Sequence, residues 1–356
     1  MRGPIALQVP AFSSVRGVLG LSHMDHCRFG QTGRQAMATK TAIIGLGIMG
    51  QRMLEHMRLH EGFAPDVLWD PDPAACAAAL AIAPEATLAP NVDAALEAAD
   101  LIYLACPPAP RKTYALQAAA AGKALFLEKP LGVDVAQSEV LVAELERFGV
   151  PAAVNFTQAA GAALARIVNA AQSGALREVV GVDIVVTYPA WPRAWQKSAD
   201  WLRFNAEGGM TREVISHFLF FSERVLGPLS LVWAKPSYPA DPALCETHML
   251  ARLESASGQA VSVMASVGGA QPDRQELTVK GNPLSYRVDD FYRVSHSTGG
   301  PFEATDAEPE NPRAVSLKAQ LDALQLCLAG KPHALATPRE ALRVQRLIEA
   351  MLTGKD

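Results

Sequence analysis

The 356-residue chain has no uninterrupted run of 18 apolar residues, so we expect no membrane-spanning helix. It also lacks blocks of like charge. The net charge is −4 with acids and bases mixed along the chain, which argues against a nucleic-acid or anionic-membrane surface. Only five cysteines occur, and none forms a C-x-x-C pair or a zinc-type cluster in the main body of the chain. These absences predict a reduced cytoplasmic protein without a metal site.

What is present indicates two folded domains. With 49% hydrophobic and 19% charged residues, the chain can bury two ordinary cores. Residues 1 to 38 do not share the periodicity of the rest, holding several arginines and a single acid, Asp25. We predict that they are a disordered leader or a mis-assigned start, with Met37 as the natural first residue. We therefore expect that residues 1 to 36 can be removed without loss of folding.

A glycine motif follows the first apolar run of the main body. Ala42–Ile44 predicts a buried parallel strand, and three glycines spaced as G-x-G-x-x-G come directly after it. Gly45 would make the exit turn, Gly47 would let the backbone approach a pyrophosphate, and Gly50 would let the next helix pack on the strand. Such a pattern also occurs at strand-turn-helix corners for steric reasons alone.

Two further features favour a dinucleotide. The helix that begins near Ile48 and Met49 would aim its free N–H groups and its positive dipole end at phosphates. Asp70 lies 20 residues after Gly50, at the end of an apolar run, where a carboxylate accepts hydrogen bonds from the adenosine ribose. Because Asp70 would repel a 2′-phosphate and is followed by Pro71, we predict NAD as the cofactor, with NADP as the weaker alternative.

The chain from 39 to 156 alternates strands and helices, which predicts an α/β Rossmann domain with a parallel sheet. Asp72 and Asp134 are predicted to cap the helices that follow them. The carboxyl ends of its strands would bring the glycine turn together with Asp70, Cys106-Pro107 and Glu128-Lys129. The predicted strands are Ala42–Ile44, Val67–Trp69, Ala86–Leu88, Leu101–Ala105, Ala124–Leu127 and Ala152–Phe156.

The pattern changes in the second predicted domain, residues 157–356. After a helix near 160 to 174, apolar alternation predicts a largely antiparallel sheet in an α+β domain. Two helices would close the chain, the second starting with a capping box at Thr337. The predicted strands are Val179–Tyr188, Leu229–Ala234, Glu246–Leu253, Ala260–Val267 and Glu276–Val279.

Two sets of residues could carry chemistry. Lys129 follows a strand at the predicted cofactor crevice, where an ammonium can exchange a proton and donate to a substrate oxygen. A solvated strand-end lysine is the alternative. Glu213 and His217 are four residues apart in a helix opened by two glycines, so they share one helix face. The histidine could be a general base or a satisfied core residue.

The ordered motifs G-L-G-I-M-G, E-K-P and G-G-x-x-x-acid-x-x-x-H resemble the glucose-fructose oxidoreductase and inositol dehydrogenase (Gfo/Idh/MocA) family over about residues 40 to 353. The resemblance implies a pyridine-nucleotide oxidoreductase of sugars, inositols and related alcohols, forming homodimers or homotetramers through the second-domain sheet. It also implies that Lys129 lies at the nicotinamide, that Pro130 follows a cis peptide, and that His217 is the catalytic acid/base. Glu213 stands beside them as a third catalytic candidate.

Several positions depart from the family pattern. The usual aspartate is Glu213, the usual glycine is Ile215, and an arginine is missing after Asn155. An aromatic, partly basic wall precedes the glycine pair and could serve a less polar or an acidic substrate; it consists of Trp191, Trp195, Trp201 and Arg203. An imine or keto-acid reductase, or a non-catalytic dinucleotide sensor, is therefore an alternative.

Overall fold

Six parallel strands form the first sheet of the computed structural model, which describes residues 38–307 and 309–354. The strand order is β3-β2-β1-β4-β5-β6, the order of dinucleotide-binding folds, and confirms the predicted Rossmann architecture. The predicted leader, with Asp25 and Met37, lies outside the described residues. The strands are β1 Thr39–Ile44, β2 Phe63–Trp69, β3 Thr87–Leu88, β4 Leu101–Leu104, β5 Ala124–Glu128 and β6 Ala152–Asn155.

Helices connect these strands and begin at the capping residues that the sequence indicates. Asp72 accepts a hydrogen bond from the N–H of Ala74, and Asp134 accepts one from the N–H of Gln137. These side chains satisfy N–H groups that the helix itself leaves unpaired. The helices are α1 Ile48–Arg58, α2 Pro73–Ile82, α3 Val92–Glu97, α4 Pro108–Ala120, α5 Val135–Phe148 and α6 Ala162–Gln172.

Eight strands form a second sheet in the order β14-β13-β12-β11-β7-β10-β9-β8. All of its neighbours are antiparallel except β7 and β10, which run parallel, so the prediction of a largely antiparallel second sheet is confirmed. Its strands are β7 Glu178–Tyr188, β8 Leu229–Ser237, β9 His248–Ser255, β10 Ala260–Val267, β11 Arg274–Asn282, β12 Ser285–Asp289, β13 Arg293–Ser297 and β14 Glu303–Ala304.

Strands β12 to β14 are absent from the sequence prediction. β12 reads Ser-Tyr-Arg-Val-Asp, with only Tyr286 and Val288 alternating, and β13 reads Arg-Val-Ser-His-Ser, with one aliphatic residue, so each apolar pattern is too short to indicate a strand. In β12 only Val288 is fully buried, because these strands form the edge of the sheet. Backbone pairing to β11, rather than an apolar pattern, holds them in place.

The helix predicted after the two glycines begins as a π-helix, Thr211–Ile215, and continues as α7, Ser216–Leu226. The N–H of Ser216 donates to the carbonyl of Thr211, five residues earlier, which is the π-type bond. Two contacts from distant segments fix this turn. The N–H of Thr211 donates to the buried carboxylate of Glu246 at 2.7 Å, and Arg212 forms a two-pronged ion pair with Glu349.

The last two helices, α8 Pro312–Leu328 and α9 Pro338–Thr353, return to the first sheet. Leu317, Leu321 and Leu324 of α8 belong to the same buried cluster as Ile43 of β1 and Met53 of α1. The capping box predicted at Thr337 is present at the start of α9. Within the described ranges, no helix is both long and apolar enough to cross a membrane.

Candidate active site

A cleft of about 700 Å³ opens at the carboxyl ends of the first sheet. Its lining includes both the glycine turn and residues of the π-helix and α7, so segments far apart in sequence face one space. Among the predicted site residues only Gly50 lies outside its lining. The predicted residues that line it are Gly45, Gly47, Ile48, Met49, Asp70, Cys106, Pro107, Glu128, Lys129, Glu213 and His217.

Close packing explains two of the three glycines. Gly45 has φ +93°, and a Cβ there would lie 2.4 Å from the backbone N of Cys106, so no larger residue fits. A Cβ on Gly50 would lie 1.9 Å from the carbonyl oxygen of Gly45, so α1 can approach β1 only if residue 50 is glycine. Gly47 has open space instead, which leaves the backbone at the start of α1 accessible from the cleft.

Asp70 buttresses the glycine turn. Its Oδ2 accepts a hydrogen bond from the backbone N–H of Leu46 at 2.6 Å, and its Oδ1 accepts one from the N–H of Asp72 at 2.8 Å. The carboxylate is therefore held at the end of β2 in a fixed orientation facing the cleft. Pro71, Asp72 and small alanines of α2 also line the cleft.

Glu128 ties three strands together below the cleft. Its Oε1 accepts hydrogen bonds from the hydroxyl of Tyr103 on β4, at 2.5 Å, and from the side-chain amide of Asn155 on β6, at 2.6 Å. Burial raises the pKa of the Glu128 carboxyl, while the bond from Tyr103 opposes that rise. This network fixes the end of β5, and hence the backbone that carries Lys129. The contact of Glu128 with a cofactor stays a prediction.

Arg111 is a buried cation in the same wall that the sequence reasoning missed. Its guanidinium donates to the carbonyl oxygens of Cys106 and Pro130, joining the loop after β4 to the loop after β5. The Lys129–Pro130 peptide is cis, as the family resemblance implies. The sequence does contain a signal for Arg111. This residue lies in the first turn of α4, and so at the edge of the sheet where the ligand crevice is expected.

Lys129 and Glu213 form an ion pair across the cleft. The Lys129 Nζ donates to the Glu213 Oε2 at 2.5 Å and to the Glu213 carbonyl oxygen at 2.7 Å. The other carboxylate oxygen, Oε1, accepts a hydrogen bond from the amide of Gln196 at 3.2 Å. Both Glu213 oxygens are thus occupied by partners other than His217, so the carboxylate holds the lysine rather than the histidine ring.

His217 is buried among aromatic rings one turn beyond Glu213. Its ring meets Phe156 and Phe291 edge-on, at centroid distances of 5.6 and 5.4 Å. Its Nδ1 is buried with no hydrogen-bond partner within the described part of the chain. Burial lowers the pKa of His217 well below its ordinary value of 6.5, and the charges of Lys129 and Arg193 lower it further. The ring is therefore neutral at pH 7 and able to accept a proton.

Three arginines in the lining were also missed by the sequence reasoning: Arg52 of α1, Arg193, and Arg313 of α8. They come from segments whose proximity depends on the tertiary fold, and no local pattern marks them. Trp195 and Trp201 of the predicted aromatic wall line the cleft, whereas Arg203 lies outside it and pairs with Asp200. In residues 38–307 and 309–354, no group of three or more His, Cys, Asp or Glu side chains could hold a metal ion.

The fold and the cleft define a class: a two-sheet protein with a Rossmann domain whose glycine turn opens on a ligand-sized cavity, the architecture of dinucleotide-dependent oxidoreductases. Residues 39–156 match the family model described as an oxidoreductase family with an NAD-binding Rossmann fold, the Gfo/Idh/MocA model. The resemblance drawn from the motifs is thereby confirmed over the nucleotide-binding domain, residues 39–156.

Solved structures extend the similarity of fold over most of the chain. UDP-N-acetylglucosamine 3-dehydrogenase GnnA from Acidithiobacillus ferrooxidans is 17% identical with a TM-score of 0.72, covering 89% of this chain and 97% of its own. An oxidoreductase from Agrobacterium radiobacter, in complex with NAD+, L-tartaric acid and magnesium, is 15% identical with a TM-score of 0.77, covering 88% and 94%.

The 3-ketoreductase KijD10 from Actinomadura kijaniata, in complex with NADP and TDP-benzene, is 18% identical with a TM-score of 0.74 and covers 89% and 98%. At these identities the likeness shows a shared fold. No curated protein sequence matches the chain.

Proposed function

We propose that this protein is an NAD-dependent oxidoreductase that moves a hydride between a nicotinamide and a carbinol or carbonyl carbon of a sugar, polyol or related small molecule. The observation that carries the proposal is the convergence of Lys129 and His217 in the cleft that the glycine turn also lines. Lys129 comes from the end of the first sheet and His217 from a helix of the second half of the chain.

The residues present fit a dinucleotide. The open space at Gly47 leaves the N–H groups at the start of α1 free to meet a pyrophosphate, and Asp70 is oriented for the ribose hydroxyls. We assign the cofactor contacts to Gly45, Gly47, Ile48, Met49, Asp70, Cys106, Pro107, Glu128 and Lys129. When bound, the nicotinamide supplies the hydride chemistry.

Lys129 is proposed to orient and polarise the reacting oxygen. An ammonium has three N–H donors, and Glu213 occupies two of them through its carboxylate and its carbonyl. The third is left for a substrate oxygen in the cleft. Because Glu213 also neutralises the charge, the lysine can be nearly buried without an unpaired ammonium.

His217 is proposed to accept the hydroxyl proton when the substrate is oxidised, and to return it in the reverse direction. Its lowered pKa keeps the ring neutral, which is the form that a base requires. Its nitrogen without a partner leaves the ring free of the competing bonds that a structural histidine makes. Glu213 acts on the reaction through Lys129.

The comparisons support a sugar-type substrate because GnnA is a dehydrogenase of a nucleotide sugar and KijD10 is a 3-ketoreductase. They support either pyridine nucleotide, since complexes with NAD+ and with NADP both occur among them. Asp70 is followed in the lining by Pro71 and Asp72 rather than by an arginine, which favours NAD. The alternatives are an imine or keto-acid reductase and a non-catalytic dinucleotide sensor. A substrate screen distinguishes them from a sugar or polyol dehydrogenase.

We further propose that the protein is a cytoplasmic homodimer or homotetramer that associates through the outer face of the second sheet. Leu250 and Met264 are paired across β9 and β10, and both side chains are nearly half exposed, at 48% and 45%. Exposed apolar side chains on an open sheet face favour association with a second copy.

The test is a screen of purified protein for cofactor absorbance change at 340 nm. Polyols, aldoses, sugar acids, and amino or keto acids are supplied with NAD+ or NADH, and NADP+ or NADPH in parallel. A polyol or sugar that reduces NAD+ would support the proposal. Activity restricted to imines or keto acids would select the reductase alternative, and tight NADH binding with no turnover would select the sensor.

A further inference from the structure

Three arginines surround one tryptophan ring at the opening of the cleft. The guanidinium carbons of Arg193, Arg52 and Arg313 lie 4.7, 5.5 and 5.9 Å from the centre of the Trp195 ring. The indole itself is 45% exposed and lines the cleft. Four side chains from three separate segments therefore build one positively charged surface with an aromatic floor.

The carboxylate nearest in effect is Glu128, which acts on Arg52 without forming an ion pair. In the described ranges none of the three arginines takes part in an ion pair with Asp or Glu; Arg52 donates only to the sulfur of Met49, and Arg193 to the amide oxygen of Gln196. Burial and the nearby charge of Arg313 lower the pKa of Arg52, so the guanidinium groups repel one another. An arrangement of like charges at a cleft becomes favourable when an anion binds there.

The arginine cluster adjoins the catalytic end of the cleft rather than the adenosine end. Arg193 donates to Gln196, Gln196 donates to Glu213, and Glu213 accepts from Lys129. Arg193 is also close enough to contribute to the low pKa of His217. An anion held by these arginines would thus be attached to the molecule that reacts at Lys129 and His217.

We propose that Arg52, Arg193 and Arg313 form an anion subsite that binds a carboxylate or phosphate group of the substrate. Arginine suits this task because its planar guanidinium pairs with both kinds of oxyanion through two parallel hydrogen bonds. Trp195 supplies a face on which the guanidinium groups and a sugar ring can pack. The inference rests on the proposed oxidoreductase function and narrows its substrate to an acidic one.

The experiment measures ligand binding, so its result does not depend on whether the protein turns the ligand over. Protein saturated with NADH is titrated with D-glucuronate, D-glucose 6-phosphate and D-glucose by calorimetry. At least one anionic probe is expected to bind about tenfold tighter than D-glucose, the size of one charge-assisted hydrogen bond. The anion with the lower dissociation constant shows whether the subsite prefers a carboxylate or a phosphate.

Single variants locate the site. Arg52→Gln, Arg193→Gln and Arg313→Gln should each weaken the preferred anion about tenfold while leaving D-glucose unchanged. Arg203→Gln is the matched control, because this arginine lies nearby, pairs with Asp200 and does not line the cleft. Unchanged melting temperatures would verify that each variant is folded.

Two results would overturn the subsite. In one, the three probes bind alike. In the other, the arginine variants weaken NADH binding to protein without sugar and leave the anion preference intact, which would assign the arginines to the cofactor. If an anionic probe binds tightly but no hydride transfer is detected, the subsite is supported and only the proposed oxidoreductase activity is contradicted.

Discussion

Lys129 and Glu213 are 84 positions apart in sequence and are joined by two hydrogen bonds from one ammonium group. One bond goes to the side chain of Glu213 and the other to its backbone carbonyl. That carbonyl lies in the π-helix, which two carboxylates from outside the turn hold in place: Glu246 accepts from the N–H of Thr211, and Glu349 pairs with Arg212. The position of the lysine therefore depends on contacts made far from it.

Glu213→Ala should destabilise the protein by about 3–5 kcal/mol, since it leaves a nearly buried ammonium without its counter-charge. Urea unfolding measures the change. Glu139→Ala removes a carboxylate whose pair with Arg346 is solvent-exposed on both sides, and its unfolding free energy should hardly change. Equal effects of the two substitutions would contradict the pairing.

His217→Ala and Lys129→Ala should each lower turnover by about 10²- to 10⁴-fold, the range of positioned proton transfer. Fluorescence titration should find NADH affinity nearly unchanged in His217→Ala and only slightly weaker in Lys129→Ala, whose proposed cofactor contact is with the nicotinamide rather than the pyrophosphate. His333→Ala is the control histidine, since it lies outside the cleft lining. Near-normal turnover in both active-site variants, on a verified substrate, would remove them from the mechanism.

The low pKa of His217 predicts how stability changes with pH. The unfolded histidine binds a proton near pH 6.5, whereas the buried ring stays neutral until well below that value. Between these limits the unfolded state holds more protons, so stability falls as the pH falls. Compared with His217→Gln, the wild-type protein should lose up to about 1.4 kcal/mol per pH unit below pH 6.5.

Denaturant midpoints at pH 7.5, 6.5 and 5.5 provide the measurement. Titration of the remaining groups is common to both proteins and cancels in the difference. Parallel curves for wild type and variant would mean that the ring is protonated in the folded state.

NADH should bind at least tenfold more tightly than NADPH, about 1.4 kcal/mol, because the carboxylate of Asp70 repels a 2′-phosphate. Asp70→Asn should narrow this ratio. The amide oxygen can still accept the hydrogen bond from the N–H of Leu46, but the amide NH2 group cannot accept the one from the N–H of Asp72, so the substitution removes the charge together with one contact of the turn. Tighter binding of NADPH to the wild-type protein would reverse the assignment.

Leu250→Lys combined with Met264→Lys should convert the proposed oligomer to a monomer, since two charges on this part of the sheet face oppose its burial. Light scattering coupled to gel filtration gives the mass. Leu59→Lys is the control, because Leu59 is 86% exposed at the end of α1 and lies away from this face. A monomeric wild-type protein at micromolar concentration would contradict the proposal.

The features predicted correctly from sequence depend on neighbours in the chain. The glycine turn, the caps at Asp72 and Asp134, and the capping box at Thr337 are each defined within a few residues. Their chemistry is local, so one sequence suffices to locate them. The strand alternation then fixes which edge of the sheet collects Asp70 and Lys129.

The features that were missed depend on contacts between distant segments. The π-helix requires the carboxylate of Glu246 at its first N–H, which a pattern of four-residue spacing does not reveal. Arg313 reaches Trp195 only because α8 returns to the first sheet. The contact between Glu213 and Lys129 is also of this kind, since a helix considered in isolation brings Glu213 close to His217 but not to Lys129.

The return of α8 to the first sheet has a consequence for the growing chain on the ribosome. Ile43 and Met53 are made early, yet the side chains that cover them, Leu317 and Leu321, are made almost three hundred residues later. The apolar surface of the nucleotide-binding domain that α8 covers therefore stays exposed until nearly all of the protein has been synthesised. We expect synthesis that stops after the second sheet to yield a product that is retained by chaperones rather than released as a free domain.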